Sequence, residues 1–209
     1  MYMQRKLMLA AAAVMMLAAC NGSKTTQLSA QFGDNAPETV KVTVGEVLDK
    51  TVEVEDGKFE FEAPVDVTTI SRIRAGMSVF SFISDGTKIT LNLEDGKAYS
   101  NKKGVHTRYV EYNKWMDEFT KGYRKRLDEI GDDKAAADAY FNEMLGKYND
   151  FQKTTFRANK DNILGVTALS HLQIDDAKEL LSLFNSLSAK MKETPEALKL
   201  KKALENELK

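Results

Sequence analysis

The sequence predicts an α+β protein in which an antiparallel, β-sandwich-like domain precedes a helical segment. Two successive patterns favour this fold class. Up to about residue 100, apolar and polar residues alternate, a period that places one face of each strand in a core. After Lys103-Gly104, apolar residues recur every three or four positions, as they do on one face of an amphipathic helix. A separate apolar segment ends at Cys20, the only cysteine, and precedes both parts.

This N-terminal segment has the features of a signal peptide. The basic pair Arg5-Lys6 precedes 13 apolar residues at positions 7–19, within the roughly 7–15 of a secretory signal and short of the roughly 20 that cross a bilayer. The sequence Leu17-Ala18-Ala19-Cys20 resembles the lipobox of bacterial lipoproteins. That resemblance implies cleavage before Cys20 and lipidation of its sulphur, and two or more acyl chains anchor a protein firmly. We therefore expect residues 1–19 to be a lipoprotein signal peptide.

The residues that follow are predicted to form a lipidated tether, residues 20–27. No apolar residue occurs between Asn21 and Gln27, which is typical of a flexible spacer. No acidic cluster follows Cys20, and in some Gram-negative groups such a cluster directs lipoproteins to the cell surface. By this analogy we expect a membrane-anchored lipoprotein of the cell envelope, held at the outer membrane and facing the periplasm.

Charge and cysteine content exclude several classes of function. Residues 1–19 contain two of the 30 basic residues and none of the 31 acidic ones, which leaves 28 against 31 and a net charge of −3. Nucleic-acid binding is disfavoured because it requires a dense basic face. If Cys20 is acylated, no thiol remains for a disulfide, a thiolate metal site, a cysteine nucleophile or redox chemistry.

Residues 28–104 are predicted to form the β domain. Alternation is clearest at Val40, Val42 and Val44, which polar residues separate. Asp-Gly pairs at positions 56, 85 and 95 predict tight turns, because both residue types accept a positive φ. Six to eight short strands joined by such turns favour an antiparallel sandwich or meander. The more continuously apolar residues 79–83 are a candidate central strand.

Residues 105–209 are predicted to be helical. Three later helices are expected, because residues typical of helix N-termini occur there. They start at Asp161 or Asn162, at Asp175 and at Thr194-Pro195. The helix that starts at Asp175 is expected to extend its apolar face to Met191. The first helix, which Gly131 ends, carries an apolar stripe formed by Tyr109, Tyr112, Met116, Phe119, Tyr123 and Leu127.

Two short motifs resemble those of a known bacterial domain. Residues 52–61, VEVEDGKFEF, and residues 159–165, NKDNILG, are similar to motifs of the N-terminal domain of unknown function found in front of AhpC/TSA (thioredoxin-like) thiol–disulfide oxidoreductases of Gram-negative bacteria. The resemblance covers about residues 28–205. In those enzymes a thioredoxin-like domain with Cys-x-x-Cys follows, and this sequence has no such domain. The resemblance therefore implies a stand-alone, non-catalytic module.

Three residues form a speculative ligand-binding set. Trp115 falls away from the centre of the stripe and is the member expected to be exposed, so that with Tyr112 it offers a platform for sugars or other flat ligands. His106 is expected in a polar turn before the first long helix. Histidines can bind a metal or haem iron, but neither His106 nor His171 has a suitably spaced partner. We predict no metal and no cofactor, and the usual role of such a stripe is core packing.

The expected function is that of a non-enzymatic envelope protein that binds a partner protein or a small ligand. No nucleophile motif or phosphate-binding loop occurs. The acidic pairs Asp132-Asp133 and Asp175-Asp176 fit helix N-termini, where negative charge is stabilising. Two alternatives stay open: an accessory module acting in trans in an envelope thiol–disulfide oxidoreductase system, and a carbohydrate- or haem-binding lipoprotein.

Overall fold

A computed structural model describes residues 24–33 and 36–208, so the predicted signal peptide and Cys20 lie outside the described residues. Eight strands precede six helices in this part of the chain, which confirms the α+β class and the predicted number of strands. The strands are β1 (Thr25–Gln31), β2 (Thr39–Val44), β3 (Leu48–Glu53), β4 (Lys58–Pro64), β5 (Asp66–Ala75), β6 (Ser78–Ser84), β7 (Lys88–Asn92) and β8 (Lys97–Ser100). The helices are α1 (Val105–Ile130), α2 (Lys134–Ala158), α3 (Ile163–Ser170), α4 (Ala177–Asn185), α5 (Ala189–Lys192) and α6 (Pro195–Glu207).

The strands form two four-stranded sheets. Sheet A has the order β4-β1-β7-β8, and sheet B has the order β3-β2-β5-β6. Most neighbours are antiparallel, but β1 and β7 pair in parallel, which differs from the fully antiparallel domain expected. The parallel pair needs no helical crossover, because the chain passes through sheet B between these two strands. Alternation within a strand reveals its buried face and carries no information on which strand lies beside it.

The Asp56-Gly57 turn is tight, as predicted, yet it does not close a full hairpin. Both residues have positive φ, 49° and 71°, and Glu55 and Lys58 exchange backbone hydrogen bonds of 3.1 and 2.8 Å. The strands on either side separate at once, since β3 pairs in sheet B and β4 pairs in sheet A. The turn is therefore the corner at which the chain changes sheets.

The first hydrophobic core takes residues from both sheets. Val40, Val42 and Val44 are fully buried, as their alternation predicts, and they belong to the same cluster as Leu28 and Phe59 of sheet A. The candidate central strand β6 is instead the edge of sheet B. Its apolar residues serve both cores: Phe80 and Phe82 lie in the first core, whereas Ile83 lies in the second.

The second core joins the helices to the β part of the chain. Its centre is α3, in which six of the eight residues are buried. Val67 and Ile70 of β5 pack against this cluster, so β5 separates the two cores. Within residues 24–33 and 36–208, the structure contains no helix of the length and apolar character that a membrane span requires.

The helix starts follow the expected residues with one shift. Asn162 caps α3 and Thr194 caps α6, each accepting a hydrogen bond from a backbone N–H. Asp176, rather than Asp175, caps α4 by accepting from the backbone of Lys178 and Glu179. The helix expected from there to Met191 is divided, because Ser188 caps a separate α5.

Part of the predicted tether is strand. β1 begins at Thr25, and the Thr26 side chain is fully buried. Its hydroxyl lies 2.9 Å from that of Ser84 and accepts from the Gly86 N–H at 2.8 Å. A threonine buried by such hydrogen bonds has the β-propensity of a strand but lacks the apolar signal by which we located strands. This is why the prediction of a spacer through Gln27 was wrong.

Candidate functional site

His106 lies in the first turn of α1 and is fully buried, so the prediction of a polar turn was wrong. Its Nε2–H donates to the Ala98 carbonyl at 3.0 Å, and the Ile83 N–H donates to Nδ1 at 3.3 Å. Both ring nitrogens are therefore satisfied by the backbone in the neutral Nε2–H tautomer. The ring joins α1 to β6 and β8 and has no nitrogen left for a metal or a ligand.

Asp85 supplies the cap that α1 lacks. The N-cap residue, Gly104, has no side chain to accept a hydrogen bond, and the Asp85 Oδ2 accepts from the His106 backbone N–H at 2.8 Å. A Cβ at Gly104 would lie 2.2 Å from this oxygen, so the carboxylate reaches the helix because position 104 is glycine. A negative charge here also stabilises the helix dipole.

We predict that His106 makes the protein less stable in acid. Burial lowers the pKa of His106, and the weaker effects of the Ala98 carbonyl and the Asp85 charge oppose this. The unfolded chain therefore binds the proton first as the pH falls. The free energy of unfolding is at its full value above about pH 6.5 and decreases below it, by at most about 1.4 kcal/mol per pH unit for one site. Urea unfolding between about pH 8 and about pH 5 measures this decrease.

The matched control is the other histidine. His106→Asn removes the titration, so its stability is expected to vary less over this pH range than that of the wild type. Partial burial also lowers the pKa of His171, but this residue is exposed as a whole, whereas His106 is fully buried. His171→Asn is therefore expected to keep most of the pH dependence. Equal slopes for the wild type and His106→Asn would contradict the assignment.

Tyr112 is buried at the junction of α1, α2 and the end of α3. Its hydroxyl donates to Gln152 Oε1 at 3.1 Å and lies 2.8 Å from His171 Nδ1. Because a phenol has one proton, this arrangement requires His171 to donate from Nδ1. Burial raises the pKa of Tyr112 to about 12, so the phenol is neutral at ordinary pH. The residue links three helices.

Trp115 is half-buried, so the expectation that it is exposed was wrong. Its ring stacks on Phe151 of α2 at a centroid distance of 3.6 Å and on Phe119 at 4.8 Å. Tyr112 also stacks on Phe151, at 5.5 Å. The structure thus brings Tyr112 and Trp115 together through a shared packing partner, while His106 belongs to a separate contact with the sheets.

A groove of about 620 Å³ lies between sheet B and the start of α6. This volume is within the range of small-molecule sites. Three chain segments, residues 43–47, 66–72 and 190–196, contribute the lining. They are far apart in sequence and none contains a motif, which is why reasoning from the sequence missed the groove. The lining residues are Thr43, Gly45, Glu46, Val47, Asp66, Thr68, Thr69, Ile70, Arg72, Lys190, Glu193, Thr194, Pro195 and Glu196.

The groove carries charges of both signs, and apolar atoms make up the larger part of its surface. Arg72 and Lys190 have no ion-pair partner within 4.0 Å among the described residues. Asp66 is held in place, because its Oδ1 accepts from the N–H and the hydroxyl of Thr68 at 2.8 and 2.5 Å. Gly45 has φ +49°, and a Cβ there would lie 3.0 Å from the Thr69 methyl group. A ligand that offers donors and acceptors to the charged side chains and apolar surface to the rest, as a sugar does, fits this lining best.

No metal centre is evident in the part of the chain that the structure describes, where no three His, Cys, Asp or Glu side chains are placed to hold an ion. Comparison with known proteins found no matching family model, no matching curated protein and no matching solved structure. The resemblance to the oxidoreductase-associated domain therefore stays a prediction.

Proposed function

We propose that this protein is a lipid-anchored, non-enzymatic component of the cell envelope that binds a small hydrophilic ligand in the groove between sheet B and α6. The observation that carries the proposal is the groove itself, in which Arg72 and Lys190 lack ionic partners among the described residues. The polar side chains that could have suggested chemistry, His106 and Tyr112, are engaged in hydrogen bonds within the fold.

We also propose that the two sheets pack face to face as a sandwich. Support comes from the first core, which contains buried residues of both sheets. In this arrangement Val42 and Ile73 point inward, while Thr43 and Arg72, their neighbours in sequence, lie on the outer face of sheet B. The groove then lies outside the sandwich, where α6 approaches that outer face.

The anchor is proposed from residues 1–20 alone. Lipid on Cys20 would place the first described strand, which begins at Thr25, five residues from the membrane. Five extended residues span at most about 17 Å, so the folded body would stay close to the surface. We propose that the protein is attached to the outer membrane on its periplasmic side. The membrane is then one partner, and nucleic acid is not a ligand.

A carbohydrate is the ligand class that the lining favours. Thr43, Thr68 and Thr69 line the groove together with side chains of both charges, and sugars offer many donors and acceptors. The groove is less suited to haem, because neither histidine is among the lining residues that could bind the iron. The accessory role in a thiol–disulfide system rests on the sequence resemblance alone.

Reversal of one charge in the groove tests the proposal. We expect a screen of sugars and short peptides by thermal unfolding to find a ligand that stabilises the wild type, by about 2.7 kcal/mol at one hundred times its Kd. Arg72→Glu is expected to lose this stabilisation. Arg74→Glu is the matched control, because Arg74 lies on the same strand and face, outside the groove lining.

The outcomes separate clearly. A ligand that stabilises the wild type and the Arg74→Glu variant, but not Arg72→Glu, supports binding in the groove. Absence of any stabilising ligand, or equal stabilisation of both variants, contradicts it. Arg72 is exposed, so its substitution is expected to change the free energy of unfolding by only about 0.5 kcal/mol or less in the absence of ligand.

A further inference from the structure

The hairpin formed by α1 and α2 carries apolar side chains that the two helices do not bury. Tyr112 and Gln152 are buried where the hairpin leaves the second core, and no residue between them, from 113 to 151, is buried. Yet the aromatic stripe continues along this part, with Tyr123 stacked on Tyr140 at 5.7 Å. Two helices alone cannot enclose a stripe on each, since an amphipathic face requires further elements to cover it.

The uncovered surface is an open cleft. It has a volume of about 290 Å³ and is lined mainly by Phe119, Tyr123, Phe141, Met144, Leu145 and Tyr148. Phe141 is 49 % exposed. On α1, Thr120 and Leu127 are half-buried while Gly122 and Arg126 are exposed. Residues beside the cleft are partly covered by its apolar walls, whereas residues on the outer side of the helix face solvent. The cleft therefore opens on the side of α1 that carries Thr120 and Leu127.

We propose that two copies of this chain pack cleft against cleft, so that their hairpins form a four-helix bundle. Such bundles bury apolar stripes of this kind at helical spacing. A two-fold axis parallel to the hairpins places α1 of each copy against α2 of the other. Charge favours this pairing. The second half of α1 contains the basic residues 121 and 124–126 and the acidic residues 118, 128 and 129, so it is slightly basic. The turn and the first half of α2 contain the acidic residues 132, 133, 138 and 143 and one basic residue, 134, so they are acidic.

One pair of side chains is placed to make the contact. Arg124 is four residues after Thr120 and three before Leu127, so it lies on the cleft side of α1. Asp138 is three residues before Phe141 and lies on the cleft side of α2. Neither has an ion-pair partner within 4.0 Å among the described residues.

The heights of the two residues along the bundle also agree. The Tyr123–Tyr140 stack fixes the level of α1 against α2. Towards the tip of the hairpin, Arg124 lies one residue beyond this stack, and Asp138 lies two residues beyond it. At a rise of about 1.5 Å per residue, their levels differ by about 1.5 Å. A two-fold axis along the hairpin keeps these levels, so Arg124 meets the partner subunit's Asp138 at two symmetric positions.

Native mass spectrometry of the full chain, released from detergent, tests the proposal by charge reversal. We expect a dimer for the wild type. Arg124→Glu and Asp138→Arg are each expected to weaken the dimer at least about tenfold, and the double variant is expected to restore it. Lys125→Glu is the matched control, because Lys125 is two residues from Tyr123 and so points away from the cleft. This variant is expected to remain dimeric.

A second variant removes the apolar contact. Phe141→Ser changes a half-exposed side chain, so the monomer is expected to keep its helix content by circular dichroism while the dimer is lost. A monomeric wild type would overturn the proposal. Charge reversals that leave the dimer unchanged, or a double variant that stays monomeric, would overturn it as well.

Discussion

Gly165→Ala is expected to lower the free energy of unfolding by about 3 kcal/mol or more. A Cβ at this position would lie 2.1 Å from the Asn159 carbonyl oxygen and 2.7 Å from its carbon. Both atoms belong to the backbone, so no side-chain rotation can relieve the clash and α3 must move away from the end of α2. Forcing an atom into such a contact commonly costs about 1–3 kcal/mol, and more where the backbone has to shift.

Gly146→Ala is the matched control for this prediction. Gly146 lies inside α2, and a Cβ there meets nothing within 4 Å. Alanine is the better helix former by roughly 0.5–1 kcal/mol, so this variant is expected to be slightly more stable than the wild type. Urea unfolding of both variants measures the difference. If the two substitutions change stability in the same direction, the close approach of α3 to Asn159 is wrong.

The second large effect is expected from Leu169→Ala. Leu169 is 1 % exposed at the centre of the second core. Removing its isobutyl group leaves a cavity between α3 and its neighbours, and buried leucines cost about 2–5 kcal/mol when truncated to alanine. Leu198→Ala makes the same chemical change on α6, where the side chain is 52 % exposed, and is expected to cost less than about 0.5 kcal/mol.

Chemical unfolding at a single temperature compares these two leucine variants directly. A loss for Leu169→Ala that is no larger than that for Leu198→Ala would show that α3 is not the buried centre of the helical part. Together with Gly165, the leucine tests whether α3 holds the helices against β5.

The motif at residues 159–165 illustrates what the sequence could and could not predict. Asn162 was an expected helix cap, and its side chain accepts from the Leu164 N–H. The sequence did not show that Asn159 binds Arg108 of α1 through a 2.9 Å hydrogen bond. Nor did it show why position 165 is glycine. Both facts depend on contacts between elements, whereas capping is decided within one turn of helix.

The same distinction holds for the β part and for the candidate site. Alternation predicted the buried valines of β2 because a strand's two faces follow directly from its period. The parallel pairing of β1 with β7 and the edge position of β6 depend on the path of the chain, which no local pattern encodes. His106 and Trp115 were predicted as candidate ligand residues from their types, and their burial became visible only once α1 was placed against its neighbours.

The groove could not have been predicted for a related reason. Thr43, Arg72 and Lys190 come from three separate segments and meet only in the folded chain. None of the three residue types is unusual on a protein surface. Arg72 and Lys190 are distinguished by two features: they lie beside a cavity, and they have no ionic partners among the described residues. Both features arise only from the fold.

The modification state of Cys20 tests the proposed anchor, on which the proposed envelope location and the proposed lack of thiol chemistry both depend. Mass spectrometry of the protein purified from its native membranes should show a chain that begins at Cys20, with its sulphur carrying a diacylglyceryl group. A chain that retains residues 1–19, or one that carries an unmodified thiol at Cys20, would contradict the anchor and return redox chemistry to consideration.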